Sequence, residues 1–488
     1  MANTAEYSSK TTRDGFLSYS DGSIENGLTT LTAVEIQKLD NTKEYDVIII
    51  GAGFAGLIAA RELGLRGRKV LLIEAKDRIG GRTFTAQTND HNFEIGGTWI
   101  HWSQPHVWSE ITRYGLSLKE SKGVAADRMS ILLENGTKLK EISMLDSLVA
   151  LANAMEKYSD VDDVQGRTVI PFPHTPFVAN ELVQKYDQLS MQDRFDQIID
   201  SLNITDEIKD MLLALLSMNM QGDIAEGGFI DHLRWWALGD YNMIRMFDKL
   251  SRYKIKEGTS TLAQAILNDC KNVTLLLSTS VLSVDHTNTN SSIIRIQTGD
   301  LLLARSVLVT VPLNALQNLK FFPPLGIKKQ ESIANGQCPG GRKFWVKLEK
   351  PIGPWFGMAP YPNPITMAYT DDEEGYIIVG FGPDELLDIQ NINIVEKELN
   401  KFLPNVKVTY VLGHDWRNDP FILSTWSWYK PGQMCSSLKA LQIAEPPIFF
   451  ASGDIADGWR GFIDGAIESG LTNARYIQQY LNKRFPSH

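Results

Sequence analysis

The stretch YDVIIIGAGFAGLIAARELGLRGRKVLLIEAKDRIGGRT, residues 45–83, decides the fold of this chain. The run DVIII predicts a strand buried on both faces, and the apolar residues that follow at helical spacing predict a helix. Between strand and helix stand Gly51, Gly53 and Gly56. In such a turn the first glycine allows a tight bend, the second lets a pyrophosphate approach the backbone, and the third lets the helix pack closely on the sheet. The stretch therefore predicts a strand–turn–helix unit that binds a dinucleotide.

The acid at the end of the next strand supports this prediction. Residues 69–73 form a second apolar run, which ends at Glu74. A carboxylate at that position accepts hydrogen bonds from ribose hydroxyls and repels a 2′-phosphate. A glycine turn alone could be purely structural, but the strand, the helix and the acid together favour dinucleotide binding. We expect Phe54, Ala55 and Ala75 to contact the cofactor beside the glycines and Glu74.

The segment RIGGRT, residues 78–83, indicates which dinucleotide binds. It resembles the extension found in the flavin amine oxidase superfamily, where this segment lies along the diphosphate and the flavin of FAD. An arginine such as Arg82 can bind a phosphate through two N–H groups. The alternative is a surface loop whose arginines are solvated. The motif favours FAD over NAD.

Length and charge bound the class of protein. A chain of 488 residues exceeds one ordinary core, so we expect two closely packed lobes. The net charge of −10 argues against a nucleic-acid partner and only weakly favours cationic substrates. The three cysteines, Cys270, Cys338 and Cys435, lack metal-ligand spacing and suggest a reducing compartment. We expect no resident metal ion.

Targeting signals are also absent from the sequence. The first fifteen residues, MANTAEYSSKTTRDG, contain no apolar segment, and no run of eighteen apolar residues follows. The final residues KRFPSH differ from a peroxisomal SKL ending. We therefore expect a cytoplasmic protein that does not associate with a membrane.

The pattern along the chain predicts an α/β protein with a Rossmann-like FAD-binding fold and an interleaved α+β substrate-binding domain. Apolar spacing around residues 105–165 and 183–250 predicts helices, whereas IPFPHTP, residues 170–176, must be a connection. We expect the active site between the two lobes. The predicted segments are an N-terminal arm draped over the surface (1–40), three FAD-binding parts (41–125, 255–335 and 441–488), a helical substrate-binding part (126–254) and a mixed-sheet substrate-binding part (336–440).

A second cofactor segment lies near the C-terminus. Gly453 and Asp454 follow the apolar strand predicted at residues 448–451. An acid in this place can bind hydroxyls of the ribityl chain or the diphosphate, while the next helix N-terminus faces the flavin. The alternative is a hydrophobic staple that holds a terminal helix.

Four further motifs identify the family. GGTWIHW (96–102), HVWSEITRYGL (106–116), GRTVIPFPH (166–174) and GWRGFIDGAIESG (458–470) resemble the soluble fungal monoamine oxidases, which are flavin-dependent amine oxidases. The resemblance spans almost the whole chain after residue 40. It implies an enzyme with FAD that transfers a hydride from a primary or simple secondary amine to flavin N5. The products would be an imine, then a carbonyl, with O2 reduced to H2O2.

The resemblance also implies the catalytic residues. In these enzymes two aromatic rings form a slot in front of the flavin, and the matching positions are Trp426 and Phe462. A lysine is joined to flavin N5 through a water, and the match is Lys343, although the strand pattern alone cannot choose it over Lys347. The alternative for both aromatic rings is a purely structural place in the core.

Several other positions are expected at the site. His101 and Trp235 are candidates for substrate contact, with a buried structural role as the alternative for each. Thr425 stands where the membrane-bound animal enzymes carry a cysteine that bonds to the flavin, so we expect non-covalent FAD. The remaining expected cofactor contacts are Gly97, Thr98, Trp99, Val281, Ile463 and Ala466.

The substrate class stays open in part. Polyamine, long-chain amino-alcohol and, with less support, L-amino-acid oxidation are alternatives that share the flavin motifs. A non-catalytic flavin-binding scaffold is the alternative from another class of protein. The expected partners are a small amine and O2, and we expect a homo-oligomer, either a dimer or a tetramer.

Overall fold

The computed structural model of the protein describes residues 10–31, 44–88, 91–121, 126, 128–133, 136–288, 290–383 and 386–486. Its strands, in chain order, are β1 (Lys10–Tyr19), β2 (Ile24–Thr30), β3 (Glu44–Ile50), β4 (Val70–Ile73), β5 (Thr85–Gln87), β6 (Asn92–Glu94), β7 (Trp99–Ile100), β8 (Leu118–Glu120), β9 (Arg128–Leu133), β10 (Lys138–Ser143), β11 (Tyr253–Ile255), β12 (Val273–Leu276), β13 (Val281–Asp285), β14 (Ser292–Ile296), β15 (Leu301–Val309), β16 (Lys320–Phe322), β17 (Arg342–Leu348), β18 (Trp355–Met358), β19 (Met367–Thr370), β20 (Ile377–Gly382), β21 (Val408–Gly413) and β22 (Ile448–Phe450).

The α-helices are shorter than fifteen residues in most cases, and the C-terminal helix is the longest of those described. In chain order they are α1 (Phe54–Leu65), α2 (Pro105–Tyr114), α3 (Met144–Ser159), α4 (Asn180–Asp187), α5 (Met191–Ile198), α6 (Asp206–Met220), α7 (Phe229–Leu238), α8 (Met243–Ser251), α9 (Thr259–Asn268), α10 (Ile327–Asn335), α11 (Ile392–Leu399), α12 (Lys439–Gln442) and α13 (Ile463–Arg484). None of the described helices combines the length and the apolar character that a membrane crossing requires.

The first large sheet carries the glycine turn. Its eight strands run in the order β12-β4-β3-β15-β14-β13-β16, with β22 paired to β15. β12, β4, β3, β15 and β22 pair in parallel. β15 also pairs antiparallel with β14, and β14 pairs antiparallel with β13. The parallel core is assembled from three stretches that are far apart in the sequence, as the interleaved pattern predicted.

β3 is buried on both faces, which explains its unbroken apolar run. Val47 and Ile49 pack into one core with α1, α9 and α13, whereas Ile48 and Ile50 face a second core. Burying one such side chain contributes about 1.5–3 kcal/mol, so both faces stabilise the strand that carries the turn. The predicted α/β class and the predicted strand–turn–helix unit are confirmed.

The glycines after β3 are required by geometry. Gly51 has φ of 109°, a left-handed conformation that residues with a side chain rarely adopt. A Cβ at Gly56 would collide with the carbonyl oxygen of Gly51. The N-terminus of α1 is therefore pressed against the end of β3, and its free N–H groups face the space beyond the sheet.

The second large sheet has nine strands in the order β10-β9-β18-β19-β20-β17-β21-β1-β2. Neighbouring strands are antiparallel except for β9 and β18, which are parallel, so this is a mixed sheet. The helices between residues 144 and 251 pack beside it and share its main core. Residues 170–176 form turns and bends, as predicted.

Two sequence-based expectations are wrong. Residues 10–30 do not form an arm draped over the surface: β1 and β2 form a hairpin, and β1 pairs with β21 from the far end of the chain. Residues 118–120, 128–133 and 138–143 are not helical, because they form β8, β9 and β10. Both segments join sheets through partners that are distant in sequence, and local spacing carries no information about such partners.

Candidate active site

A cavity of about 830 Å³ extends from the glycine turn of the first sheet to the inner face of the second. Gly51, Gly53 and Glu74 line one end, and apolar side chains from both sheets and from the helical layer line the other. A cavity of this size falls within the range that holds cofactors and substrates.

Glu74 holds the two turns of the cofactor end together. Its carboxylate accepts the backbone N–H of Ala52 at 2.7 Å and that of Lys76 at 2.9 Å. Burial raises the pKa of Glu74, and the two N–H donors oppose this shift. The acid thus sits beside the glycine turn with its remaining lone pairs available to hydroxyl groups.

Most of the predicted cofactor residues line this cavity. They are Gly51, Gly53, Phe54, Ala55, Glu74, Ala75, Arg82, Gly97, Thr98, Trp99, Val281, Trp426, Gly453, Phe462, Ile463 and Ala466. Gly56 is not among the lining residues, and its role is the close packing of α1 described above.

Asp454 lies behind the cavity lining. It is fully buried and is not among the residues that line the cavity. Its Oδ1 accepts Nη1 of Arg82 at 2.6 Å, and its Oδ2 accepts the backbone N–H of Leu313 at 3.0 Å. The same Arg82 nitrogen also donates to the carbonyl oxygen of Thr425 at 2.7 Å. Asp454 therefore orients Arg82 from behind the cavity lining, and its expected contact with the cofactor stays a prediction.

Trp426 and Phe462, the two residues predicted to form the aromatic slot, both line the cavity, and each is fixed by contacts on the side away from it. The indole Nε1 of Trp426 donates to the carbonyl oxygen of Asn219 at 2.9 Å. The ring of Phe462 packs against Trp235 at a centroid distance of 5.3 Å and against Trp459 at 5.1 Å. Both rings therefore have fixed orientations toward the cavity.

A buried acid links the two segments that carry these rings. Oδ2 of Asp231 accepts the backbone N–H of Tyr429 at 2.6 Å, and its Oδ1 accepts Nη2 of Arg460 and, at 3.0 Å, Nε of Arg234. Arg234 also donates to the carbonyl oxygens of Gly458 and Arg460. Because these groups are all fully buried, the ion cluster restrains both the segment that carries Trp426 and the segment that carries Phe462.

Lys343 is a buried cation at the same cavity. Its Nζ donates to the carbonyl oxygen of Gly96 at 2.8 Å and to Oγ1 of Thr98 at 2.5 Å. No carboxylate of the described residues lies within ion-pair distance of it. Burial, with a smaller contribution from the charge of Lys254, lowers the pKa of Lys343 to about 7. Lys347, the alternative left by the strand pattern, does not line the cavity.

The two expected substrate contacts differ. Trp235 lines the cavity beside Phe462. His101 does not, which corrects that expectation: its Nδ1 lies 2.9 Å from Oγ of Ser103, and its Nε2 lies 3.4 Å from Asp248. Burial lowers the pKa of His101. The residue supports the wall that Asp248 forms.

Sequence reasoning missed most of the substrate wall. The apolar lining from α3, α6, α8 and strands β18 to β20 consists of Leu148, Leu151, Leu215, Met218, Met243, Ile244, Phe247, Leu250, Phe356, Met358, Met367, Tyr369 and Phe381. In the sequence these residues have the spacing of ordinary core positions. Only the pairing of distant elements shows that they surround a cavity.

The residues of this cavity fit a long dinucleotide. The N-terminus of α1 opens toward it, Arg82 and Glu74 supply groups for phosphate and ribose, and the cavity continues past Gly97 to the aromatic rings. Within the described residues, Oγ1 of Thr425 is buried without a hydrogen-bond partner at this cavity. The arrangement defines a dinucleotide-dependent oxidoreductase with an apolar substrate chamber.

The comparison with known proteins narrows this class. The family model of flavin-containing amine oxidoreductases matches residues 54–478, so the chain belongs to that family. The cofactor is therefore a flavin, and the family predicted from the sequence is confirmed.

Relatives of this chain support the same conclusion. Pseudooxynicotine dehydrogenase from Pseudomonas sp is 36% identical over 91% of this chain and 88% of its own length. Nicotine dehydrogenase from Pseudomonas putida (strain DSM 28022 / S16) is 34% identical over 90% of this chain and 89% of its own length. The solved structure of cyclohexylamine oxidase from Brevibacterium oxydans IH-35A has a TM-score of 0.71 at 18% identity, covering 90% of this chain and 100% of that one. The last comparison concerns the fold alone.

Proposed function

We propose that this protein oxidises an apolar primary or secondary amine with non-covalently bound FAD. The observation that carries the proposal is that Trp426, Phe462 and Lys343 line one cavity with the glycine turn. Ile463, next to Phe462, lies near Gly97, and Gly97 precedes the Thr98 that Lys343 contacts. Residues 97 and 98 therefore link the segment of Phe462 to the lysine along the same cavity.

The residues that would hold FAD follow from the lining. The turn at Gly51 and Gly53 with Arg82 would hold the diphosphate, Glu74 the adenosine ribose, and Gly97 with Ala466 the ring end. FAD, when bound, would accept at N5 the hydride that leaves the α-carbon of the amine, and the resulting imine is hydrolysed by water to a carbonyl.

The chain contributes orientation and a dry environment. The rings of Trp426 and Phe462 would hold the amine between them, and the apolar wall would favour its neutral form over the ammonium ion. The pKa of Lys343 is lowered to about 7, so its Nζ can hold or release a proton near neutral pH.

The charged lining residues favour a monoamine over the alternatives. A polyamine oxidase needs free carboxylates in the chamber, but Glu120 and Asp248 both pair with Arg252, at 3.3 Å each. An amino-acid oxidase needs a free arginine, but Arg82 pairs with Asp454 and Arg252 with the two acids. Arg252 compensates one of the two acidic charges, the remaining negative charge lies on solvent-exposed side chains, and both arginines are already paired, so an amine without further charge fits better.

The relatives suggest the first substrates to test. Two of them are named for pseudooxynicotine and nicotine, so bulky amines of that kind belong in the panel beside simple monoamines. We propose O2 as the electron acceptor, with H2O2 as product. Because those relatives are named dehydrogenases, another electron carrier is the alternative acceptor.

An anaerobic mixture of the holoprotein with an amine panel tests the proposal. Bleaching of the flavin absorption by a monoamine, and recovery of colour with H2O2 when air is admitted, is the expected result. If the flavin colour returned only with an artificial electron carrier and not with air, the electron acceptor would be a carrier other than O2. Bleaching by polyamines or amino acids alone would change the substrate class, and no bleaching by any amine would favour a non-catalytic flavin scaffold.

Three further expectations stay predictions. The segment boundaries of the two domains, the homo-oligomeric state and the cytoplasmic location each need their own measurement.

A further inference from the structure

The N-terminal hairpin, formed by β1 and β2, contacts the segment that follows Glu74. We name residues 74–83, which contain the two glycines and Arg82, the cofactor loop. The hairpin is part of the nine-stranded sheet through β21, with Phe16 opposite Gly413. Its residues 12–14 extend from that sheet to the cofactor loop of the other sheet. The hairpin thus connects the substrate side of the molecule to the cofactor side.

Asp14 is the centre of this contact. Its Oδ1 accepts Nζ of Lys76 at 2.9 Å, and its Oδ2 accepts Nε of Arg78 at 2.7 Å. The side chain of Lys76 is 6% exposed and that of Arg78 is 0% exposed. Burial raises the pKa of Asp14, but Arg78 and Lys76 outweigh burial and hold this pKa well below its usual range. The carboxylate is therefore charged and forms ion pairs with two buried cations, of which Lys76 also pairs with Asp419.

The two residues before Asp14 bind Asp77, which lies between Lys76 and Arg78 in the cofactor loop. Oγ1 of Thr12 donates to Oδ1 of Asp77 at 2.5 Å, and the backbone N–H of Arg13 donates to Oδ2 of Asp77 at 2.9 Å. Three consecutive hairpin residues therefore bind three consecutive residues of the cofactor loop.

Arg78 transmits this restraint to the cavity. Its Nη1 donates to the carbonyl oxygens of Ile79 and Gly81, at 3.2 and 2.9 Å. Gly80, between them, forms a bridge with Gly53 of the glycine turn. The backbone that lines the cofactor end is thus fixed by a guanidinium, and among the described residues Asp14 is the only carboxylate within ion-pair distance of that group.

Lys76 makes the second connection. It pairs with Asp419 as well as with Asp14, and Asp419 accepts Nε2 of His414 at 2.8 Å. Nδ1 of His414 in turn accepts the backbone N–H of Gly15 at 3.0 Å. The hairpin, the cofactor loop and the segment after β21 form one buried polar network.

We propose that the hairpin is a latch that keeps the cofactor loop closed over FAD, with Asp14 as the positioning residue. The inference rests on the FAD binding proposed above. Removing the Asp14 charge leaves Arg78 buried without a carboxylate in the closed loop, whereas in an opened loop water solvates the guanidinium. Loss of the charge therefore favours the open loop and speeds the release of FAD.

The rate of FAD release from the holoprotein tests the latch. Holoprotein is diluted to a concentration far below its dissociation constant for FAD. The fluorescence of the freed flavin is then followed for wild type, Asp14→Asn and Asp21→Asn. Asp21 is the matched control, because it lies in the same hairpin and its hydrogen bonds to described residues stay within its own turn, at Ser23. We expect release at least about tenfold faster in Asp14→Asn and unchanged in Asp21→Asn. Equal release rates in wild type and Asp14→Asn would overturn the proposal.

A second measurement separates the latch from a general loss of stability. The gain in melting temperature on adding FAD to apoprotein should be smaller in Asp14→Asn than in wild type, because affinity for FAD sets that gain. If Asp14→Asn lowered the melting temperatures of apoprotein and holoprotein equally, the gain on adding FAD would be unchanged. That result would show a merely structural role for Asp14 and overturn the latch.

Thr12→Val keeps the proposal testable if Asp14→Asn does not fold. It removes the Thr12–Asp77 hydrogen bond and the bond at 3.3 Å that Oγ1 of Thr12 accepts from the backbone N–H of Asp14, but it leaves the Asp14 carboxylate in place. We expect FAD release about threefold faster, with an unchanged rate counting against the latch. The outcome is independent of the substrate. If the wild-type protein binds FAD but oxidises no amine, the proposed reaction is wrong. The latch is still tested in that case, because the rates of FAD release do not depend on the reaction.

Discussion

The carboxylate of Asp231 accepts the backbone N–H of Tyr429 at 2.6 Å, three residues after Trp426. The same carboxylate pairs with Arg460, two residues before Phe462. One buried acid thus ties together the two segments whose rings form the proposed amine slot. The distance between the rings depends on a residue that does not line the cavity.

Asp231→Asn should therefore impair the slot. We expect KM for the amine to rise about tenfold, because a small misplacement of the rings weakens substrate binding. The unfolding free energy should fall by about 3 kcal/mol, since two arginines lose their buried counter-ion. Steady-state kinetics and thermal melts measure both. Asp200→Asn, an exposed acid of the same helical layer, is the control and should change neither. An unchanged KM would separate Asp231 from the slot.

Trp426→Ala should lower turnover by about 100-fold while the protein remains yellow. The indole borders the proposed amine position, whereas the glycine turn and Arg82 that would hold FAD are unaffected. Turnover and the flavin content per chain are measured together. Trp102→Ala, at an indole that is 50% exposed, is the matched control. Unchanged turnover in Trp426→Ala would remove this residue from the site.

Lys343 should produce an inflection in the pH profile. Below a pH of about 7 Lys343 is protonated and repels an ammonium substrate. Above this pH the Nζ of Lys343 is neutral and can accept a proton. We expect kcat/KM to rise as the pH increases through about 7. In Lys343→Met this inflection should vanish, leaving only the ionisation of the substrate. Lys347→Met, outside the cavity, should keep it, and a persistent inflection in Lys343→Met would assign it to another group.

Gly56→Ala should weaken FAD binding. The added methyl group collides with the carbonyl oxygen of Gly51, so α1 must move away from the turn. Overpacking of this kind costs about 1–3 kcal/mol, which corresponds to roughly 5- to 150-fold weaker binding. Titration of apoprotein with FAD measures the change. Gly222→Ala, where the nearest atom lies 3.4 Å from the new Cβ, is the control. Equal affinity in Gly56→Ala and wild type would contradict the packing argument.

The flavin should leave the protein on acid precipitation. None of the cavity-lining residues that the structure describes is a cysteine. The resemblance to the amine oxidases also implies that Thr425 stands where the membrane-bound animal enzymes carry the bonding cysteine. We expect all yellow colour in the supernatant, as measured by absorbance. Colour that remains in the pellet would show a covalent bond.

The sequence by itself determined the cofactor unit and its family. A buried strand, a glycine turn, a helix and an acid lie within one contiguous stretch, and each is specified by local backbone and packing requirements. The same is true of the segments around Trp426 and Phe462, which could be assigned through resemblance because their motifs are short and continuous. Lys343 was assigned in the same way, and only the cavity distinguishes it from Lys347.

The tertiary structure alone decided the substrate wall, the cluster at Asp231 and the hairpin latch. Met218, Phe247 and Tyr369 have the spacing of core residues, and the sequence does not show whether such a side chain meets another element or a cavity. The polar residues 10–30 contain no local signal for their partner, which lies almost 400 residues away in β21. Strand pairing and buried ion pairs depend on which distant elements meet, and local propensity cannot specify that.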